Sequence, residues 1–243
     1  MNDLFFLKTC ALLHDIGKPL CWADKRPWSE HIYYTERILR ESLGLNFAVS
    51  AMHHHTGVNY PAEYHPKTDL EEAIALADNI SSGADRPEEV ERATPGAIKL
   101  AHVLSKNRAK NLDVAWLKEL SEQVQDGLKQ FASVFASDPK KGYFMIFDYL
   151  EKSNLKMVPA DTREPVNDVS LWDHLKLTAA FASCIWIDCE GKIKTRNPEK
   201  YEFALISGDA NRIKDYIGTS SRLPDLVSRS EKVRKATKKL LKL

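Results

Sequence analysis

The sequence predicts a mainly α-helical chain, and three observations carry that expectation. Apolar residues recur at helical spacing in one segment after another. The segments are punctuated by helix stops and caps rather than by the paired turns of hairpins. A convincing strand appears only near the end, where "YEFALIS" forms a continuous apolar run bounded by Gly208. These features place a helical domain over residues 1–190 and a linker or short hairpin over 191–200. Residues 201–243 then read as the incomplete opening of an α/β domain, its first strand and helix.

Taken in order, residues 3–14 carry Leu4, Phe5, Leu7, Ala11 and Leu12 on a helix that Gly17 and Pro19 stop. Ser29 caps a second helix with Ile32, Glu36, Leu39 and Leu43. A third runs from about Leu45 into "SAMHHHTG", where Gly57 and Pro61 break it. "TDLEEAIALADNI" opens with a capping box of Thr68 and Glu71 before Leu70, Ile74 and Ala77. "GAIKLAHVLSKN" reads as a fifth helix, "DVAWLKELSEQVQDGLKQFASVF" as one long amphipathic sixth and "GYFMIFDYLEK" as a seventh. "MVPADTREPVND" is a loop. "SLWDHLKLTAAFASCIWI", capped by Ser170, is apolar almost all round and belongs in the core. "CEGKIKTRNPEK" is a turn or short hairpin, "ANRIKDYIG" a helix, and the basic tail "EKVRKATKKLLKL" amphipathic.

Composition narrows the function classes. With 43% hydrophobic and 28% charged residues in 243, the chain has the profile of a soluble globular protein with material for one full core. A net charge of +1 gives no global attraction to nucleic acid or membrane, so any polyanion site must be local. Cys10, Cys21, Cys184 and Cys189 form no CxxC pair and are not spaced like zinc ligands, which suits reduced cysteines in a cytoplasmic protein. The apolar run from Leu175 to Ile187 falls short of the about 20 residues of a membrane span, and no signal peptide is visible.

The chemistry-bearing residues are histidines and aspartates. His14 and Asp15 end the first helix, His31 opens the second, His53, His54 and His55 end the third, and Asp78 lies on the apolar face of the fourth. Antiparallel helices joined by short loops can bring such residues to one wall of a bundle. Ligation by His and Asp without Cys suits a catalytic transition-metal site, with Mn, Fe, Co or Ni as occupants. Five or more ligands exceed what one open ion needs and fit two, clamping a phosphodiester and activating water. Successive helical residues lie 100° apart, so two of the three consecutive histidines are expected as ligands, with His54 and His55 favoured. His65 and His102 read as surface or capping residues.

"LLHDIGKP", "EHIYYTERIL", "HHH" and "LADNISSGADR" resemble, in this order, the motifs of the HD phosphohydrolase superfamily. Ordinary members carry a further histidine before the HD pair, and none precedes His14 here. A circular permutation would place it downstream. "SLWDHLKLTAAFA" is similar to a helix in the large subunit of type III CRISPR effector complexes, and "FALISGDANRIKDYI" is similar to the start of that family's palm. The resemblance implies a permuted HD-type bundle, with His174 as the displaced histidine, followed by the opening of a palm-like (ferredoxin-like) domain. It implies metal-dependent hydrolysis of single-stranded DNA beside the other subunits and guide RNA of the complex, without a membrane. No GGDD stretch of the cyclase palm occurs, so the chain reads as the N-terminal part of a longer subunit or as a shortened relative.

On this resemblance Asp15 bridges two ions, with His14, Asp78 and His174 on one, and His31, His54 and His55 on the other. Asp15 and Lys18 are the catalytic candidates. Lys18, Ser82 and Arg86, with Ser81, are candidates for phosphate contact, and Lys18 reads equally well as a solvated lysine. Trp22 and Trp28 either stack on bases or pack in the core. Two rival functions stay open: a phosphohydrolase of nucleotides or cyclic nucleotides, and a degenerate scaffold of the effector complex.

Overall fold

A computed structural model describes residues 2–58, 60–85, 98–102, 105–163, 167–204 and 222–240. Helix α1 (Asn2–Leu13) is apolar on all sides, and Leu7, Cys10, Ala11, Leu12 and Leu13 are fully buried. A helix of that kind belongs in the middle of a bundle. It packs against α4 (Leu45–Met52), α5 (Asp69–Asp85), α8 (Pro139–Lys152) and α9 (Leu171–Asp188). Around this centre lie α2 (Lys18–Ala23), α3 (His31–Ser42), α6 (Val114–Lys129) and α7 (Ala132–Ser137). The fold is mainly helical, as the spacing of apolar residues predicts. One large core joins these helices, and a small satellite of Ile32, Met52 and Tyr60 lies apart from it.

Several caps form where the sequence places them. Thr68 Oγ1 accepts from the Glu71 amide at 3.2 Å while Glu71 Oε2 accepts from the Thr68 amide at 3.2 Å, a reciprocal capping box. Ser170 Oγ accepts from the Asp173 amide and starts α9. Gly44 links α3 to α4 at φ +101°, backbone that a residue with a Cβ rarely adopts.

Other local expectations are corrected. Pro19 does not merely end α1: it sits in the first turn of α2, where its missing N–H costs nothing. Ser29 does not cap the second helix, because Trp28–Glu30 is a 3₁₀ turn and α3 begins at His31. Helix α4 ends at Met52, so the three histidines lie beyond it rather than on it. Among the described residues the expected fifth helix is replaced by strands. Strands β1 (Lys99–His102) and β2 (Ser105–Asn111) pair antiparallel, with Lys99 opposite Asn111. Tertiary backbone bonding overrides helix propensity there, since the Ala101 amide donates to the Asn167 carbonyl at 2.8 Å. The long sixth helix is two, broken where the Phe131 amide turns back to the Leu128 carbonyl.

Residues Phe203–Leu243 form a second unit, separate from Met1–Glu202. Within it α10 (Leu223–Leu240) is described, and Leu223 and Val227 are exposed. The expected strand "YEFALIS" is irregular over 201–204, and its remainder and "ANRIKDYIG" lie outside the described residues. Among the described residues no helix is long and apolar enough to cross a membrane.

Candidate metal centre

The site is built on the turn that follows α1. The Ile16 amide bonds the Leu13 carbonyl and the Lys18 amide bonds the Asp15 carbonyl, so the chain reverses at once after His14 and Asp15. Gly17 sits against the first turn of α3, its amide donating to Thr35 Oγ1 at 3.0 Å. A Cβ at residue 17 would lie 2.5 Å from the His31 carbonyl oxygen and 2.3 Å from the Thr35 nitrogen. Only glycine allows this approach, and the approach brings His31 beside Asp15.

His14, Asp15, His31, His54, Asp78 and His174 are buried, and His55 is partly so. They fall into two groups that share Asp15. Asp15, His31, His54 and His55 offer one set of ligand atoms, and His14, Asp15, Asp78 and His174 the other. Within each set the atoms lie within 4.8 Å of one another, so each could hold a metal ion. Asp15 Oδ1 faces the first group, 2.9 Å from His31 Nε2 and 3.6 Å from His54 Nε2. Asp15 Oδ2 faces the second, 3.3 Å from both His14 Nε2 and His174 Nε2. Asp78 Oδ1 closes that group, 3.4 Å from His14 Nε2 and 3.3 Å from His174 Nε2.

The hydrogen bonding of the rings tests whether a cation fits. His14 Nδ1–H donates to the Ala11 carbonyl at 2.8 Å, His31 to Trp28 at 2.6 Å and His54 to Ala51 at 2.6 Å. Each bond assigns the proton to Nδ1 and leaves Nε2 as a lone pair directed at the carboxylates. Among the described residues the buried Asp15 Oδ1 has no hydrogen-bond partner, although His31 Nε2 is 2.9 Å away. Ring nitrogens also crowd one another, His31 Nε2 and His54 Nε2 at 3.5 Å and His14 Nε2 and His174 Nε2 at 3.3 Å. Such an arrangement calls for positive charge at its centre, and the donor set is one that divalent transition metals accept.

The electrostatics agree. Burial opposes the charge on Asp15, but Lys18, His14 and His31 outweigh it and hold the carboxyl well below its usual range. Burial likewise opposes the Asp78 charge and is outweighed by His14 and His174. His14 is pulled down by burial and further up by Asp15 and Asp78, so the carboxylates recruit positive charge. Burial lowers His54, and lowers His55 well below the imidazole range with His54 and His31 beside it.

The remaining sequence candidates are placed as follows. Lys18 Nζ is 2.5 Å from Asp15 Oδ2 and donates to the Ala160 carbonyl at 3.0 Å, with its side chain 18% exposed. Ser82 Oγ donates to Asp78 Oδ1 at 3.1 Å, which steadies that carboxylate. Ser81 Oγ lies 3.3 Å from His174 Nδ1 and 2.7 Å from Thr178 Oγ1, and so braces His174. Arg86 lies outside the described residues. His53 turns away to Glu71, with Nδ1 3.1 Å from Oε1. His65 Nε2–H donates to the Tyr60 carbonyl. Trp22 packs against the core, whereas Trp28 is 57% exposed.

Sequence reasoning did not single out Tyr60. Its ring stacks on His55 at 4.3 Å and 20°, and Trp28 meets it edge-on at 5.8 Å. Burial, with Asp15 and Asp78 nearby, raises its phenol pKa, so the hydroxyl keeps its proton. Its place after Gly57, in the loop that follows the histidines, was the available signal.

Comparison with known proteins bears on this geometry. Residues 2–83 match the HD domain family, a span that includes every clustered residue except His174. No curated protein sequence matches the chain. Among solved structures, a chain of the Csm1–Csm4 subcomplex in the type III-A CRISPR-Csm interference complex aligns with TM-score 0.57 and 19% identity, covering 95% of this chain and 34% of that one. Csm1 in T. onnurineus aligns with TM-score 0.51 and 20% identity, covering 75% of this chain and 28% of that one. The chain therefore spans about a third of the length of these structures. Residues 2–83 are thus similar to an HD domain, and the helical fold around them resembles that of Csm1.

Proposed function

We propose that this chain is the HD nuclease part of a type III CRISPR large subunit and hydrolyses phosphodiester bonds of single-stranded DNA with two divalent transition metals. The observation that carries the reading is the pair of His/Asp groups sharing Asp15. One group of four donors would serve a single ion, and two adjoining groups suit in-line displacement at a phosphodiester. His14, Asp78 and His174 would hold one ion, His31, His54 and His55 the other, and Asp15 both. When bound, the metals supply Lewis-acid stabilisation of phosphoryl charge and lower the pKa of attacking water.

The chain's own residues prepare that chemistry. The Ala11, Trp28 and Ala51 carbonyls fix three rings with Nε2 inward, and Ser81 and Thr178 steady the fourth. Lys18 spends two donors on Asp15 and the Ala160 carbonyl, and its third N–H is available to a non-bridging phosphate oxygen. Exposed Trp28 beside the site offers a stacking face for a base, which suits an unpaired strand. A His174 supplied from outside the HD match is consistent with a circularly permuted HD domain. The likeness to a chain of the Csm1–Csm4 subcomplex supports other effector subunits as partners, and guide RNA and a cytoplasmic location belong to the same proposal.

The test compares labelled single-stranded DNA, dNTPs and cyclic nucleotides as substrates, each with Mn, Co or Ni. Cleavage of the strand that Asp15→Ala abolishes is the expected result. Hydrolysis of mononucleotides alone would transfer the site to nucleotide chemistry. Metal content unchanged by Asp15→Ala, with no hydrolysis, would leave only a scaffold.

A further inference from the structure

The satellite cluster beside the site contains a hydroxyl with nothing to bond. Tyr60 is 6% exposed, and among the described residues its buried hydroxyl oxygen has no hydrogen-bond partner. Buried phenols ordinarily find an acceptor, because an unmet O–H loses its hydration without return. Tyr60 is also held firmly. Its ring stacks on His55 at 4.3 Å, stands edge-on to His31 at 6.4 Å and 89°, and meets Trp28 edge-on at 5.8 Å. The ring therefore lies between two histidines of one donor group and the exposed Trp28.

We infer that the Tyr60 hydroxyl is a substrate-contacting donor that binds a phosphoryl oxygen in the site. This rests on the phosphodiesterase reading above. The chemistry that completes the hydroxyl is an anionic acceptor brought into the site, since the O–H is a donor and no described protein oxygen bonds it. A phosphoryl oxygen entering between the donor groups supplies that acceptor. The hydroxyl then discriminates in favour of bound phosphate, because its bond exists only when the anion is present.

The test is the affinity of the Mn-loaded chain for inorganic phosphate, by calorimetric titration, with and without Tyr60→Phe. Loss of a bond from O–H to an anion predicts phosphate binding weaker by about tenfold or more. Bound metal, measured by elemental analysis, stays the same. The thermal midpoint of the metal-loaded, phosphate-free protein rises or holds, because the substitution removes an unmet polar group. Equal phosphate affinity in the two proteins overturns the inference, as does absence of phosphate binding by the unsubstituted chain. A lower midpoint or lost metal in Tyr60→Phe also overturns it, since the hydroxyl would then serve the fold. Tyr60-dependent phosphate binding without cleavage of single-stranded DNA would defeat the nuclease reading alone. Cleavage unaffected by Tyr60→Phe would defeat the tyrosine's role alone.

Discussion

His14 Nε2 and His174 Nε2 stand 3.3 Å apart although 160 positions separate them in the chain. The contact exists because α1 and α9 pack along each other, with Leu12, Leu13, Leu175 and Ala179 all in the core. With Asp78 Oδ1 within 3.4 Å of both rings, one donor group depends on three segments that only the folded bundle unites.

That dependence separates the two groups by mutation. His174→Ala removes a donor from the group of His14 and Asp78 and leaves the His31 group intact. Elemental analysis is expected to fall from about two metal equivalents to about one, and Asp15→Ala to lower it further. A full complement in His174→Ala would remove His174 from the site.

Ser81 acts at one remove, through its contact with His174 Nδ1. Ser81→Ala frees that ring to turn, and loss of such a supporting bond weakens metal affinity about 10–100-fold. Metal titration monitors the change. His31→Ala should act on the other group, so equal titration curves for the two variants would contradict separate groups.

Gly17→Ala tests the turn that seats His31. Its Cβ would fall 2.7 Å or less from three backbone atoms of α3, none of which can move alone. Overpacking of this kind costs about 1–3 kcal/mol or somewhat more, measurable by urea unfolding. Metal binding at the His31 group is expected to weaken with it. An unchanged midpoint would mean that the two turns are not in contact.

Acid should unseat the start of α5. Burial raises the Glu71 pKa, but His53 and the Lys67 and Thr68 amides together outweigh it and lower the carboxyl. A carboxyl lower in the folded than in the unfolded chain stabilises above its unfolded value, near pH 4. That contribution fades as the pH falls through the folded value. Glu71→Gln is therefore expected to flatten the loss of thermal stability below roughly pH 4, read by melting the metal-free protein at a series of pH values. Thr68→Ala, which removes the other half of the box, should cost about 1 kcal/mol at all pH values.

Trp28→Ala tests the stacking face. The indole is mostly exposed, so stability and metal content are expected to hold, while the backbone carbonyl bonded by His31 remains. Affinity for single-stranded DNA should weaken by about 1–3 kcal/mol, the range for one stacked base, in fluorescence anisotropy. No change would return Trp28 to packing against Tyr60 alone.

Particular residues show why parts of the fold and site were legible. The box of Thr68 and Glu71 and the Ser170 cap are local, three residues wide, and they form as read. The clustered histidines and aspartates were selectable because unmatched polar groups on apolar helices need partners. The hairpin at 99–111 was misread because a tertiary bond to the Asn167 carbonyl outweighs local preference there. The three histidines were assigned to a helix that stops at Met52. Freed from the 100° step, His54 and His55 both reach the cluster while His53 turns to Glu71.

By itself the sequence determined the helical class, the Thr68–Glu71 box, the Ser170 cap and the residues worth gathering, since periodicity, capping and the cost of buried charge act over a few positions. Tertiary structure decided how they are gathered. It put Asp15 between two donor groups, turned the Nε2 atoms of His14, His31 and His54 inward through carbonyls close by in the chain, and set Tyr60 against His55 with its hydroxyl unmet among the described residues. Those relations depend on the close approach at Gly17 and on the packing of α1 with α9, contacts between segments whose distance along the chain carries no information about their distance in space.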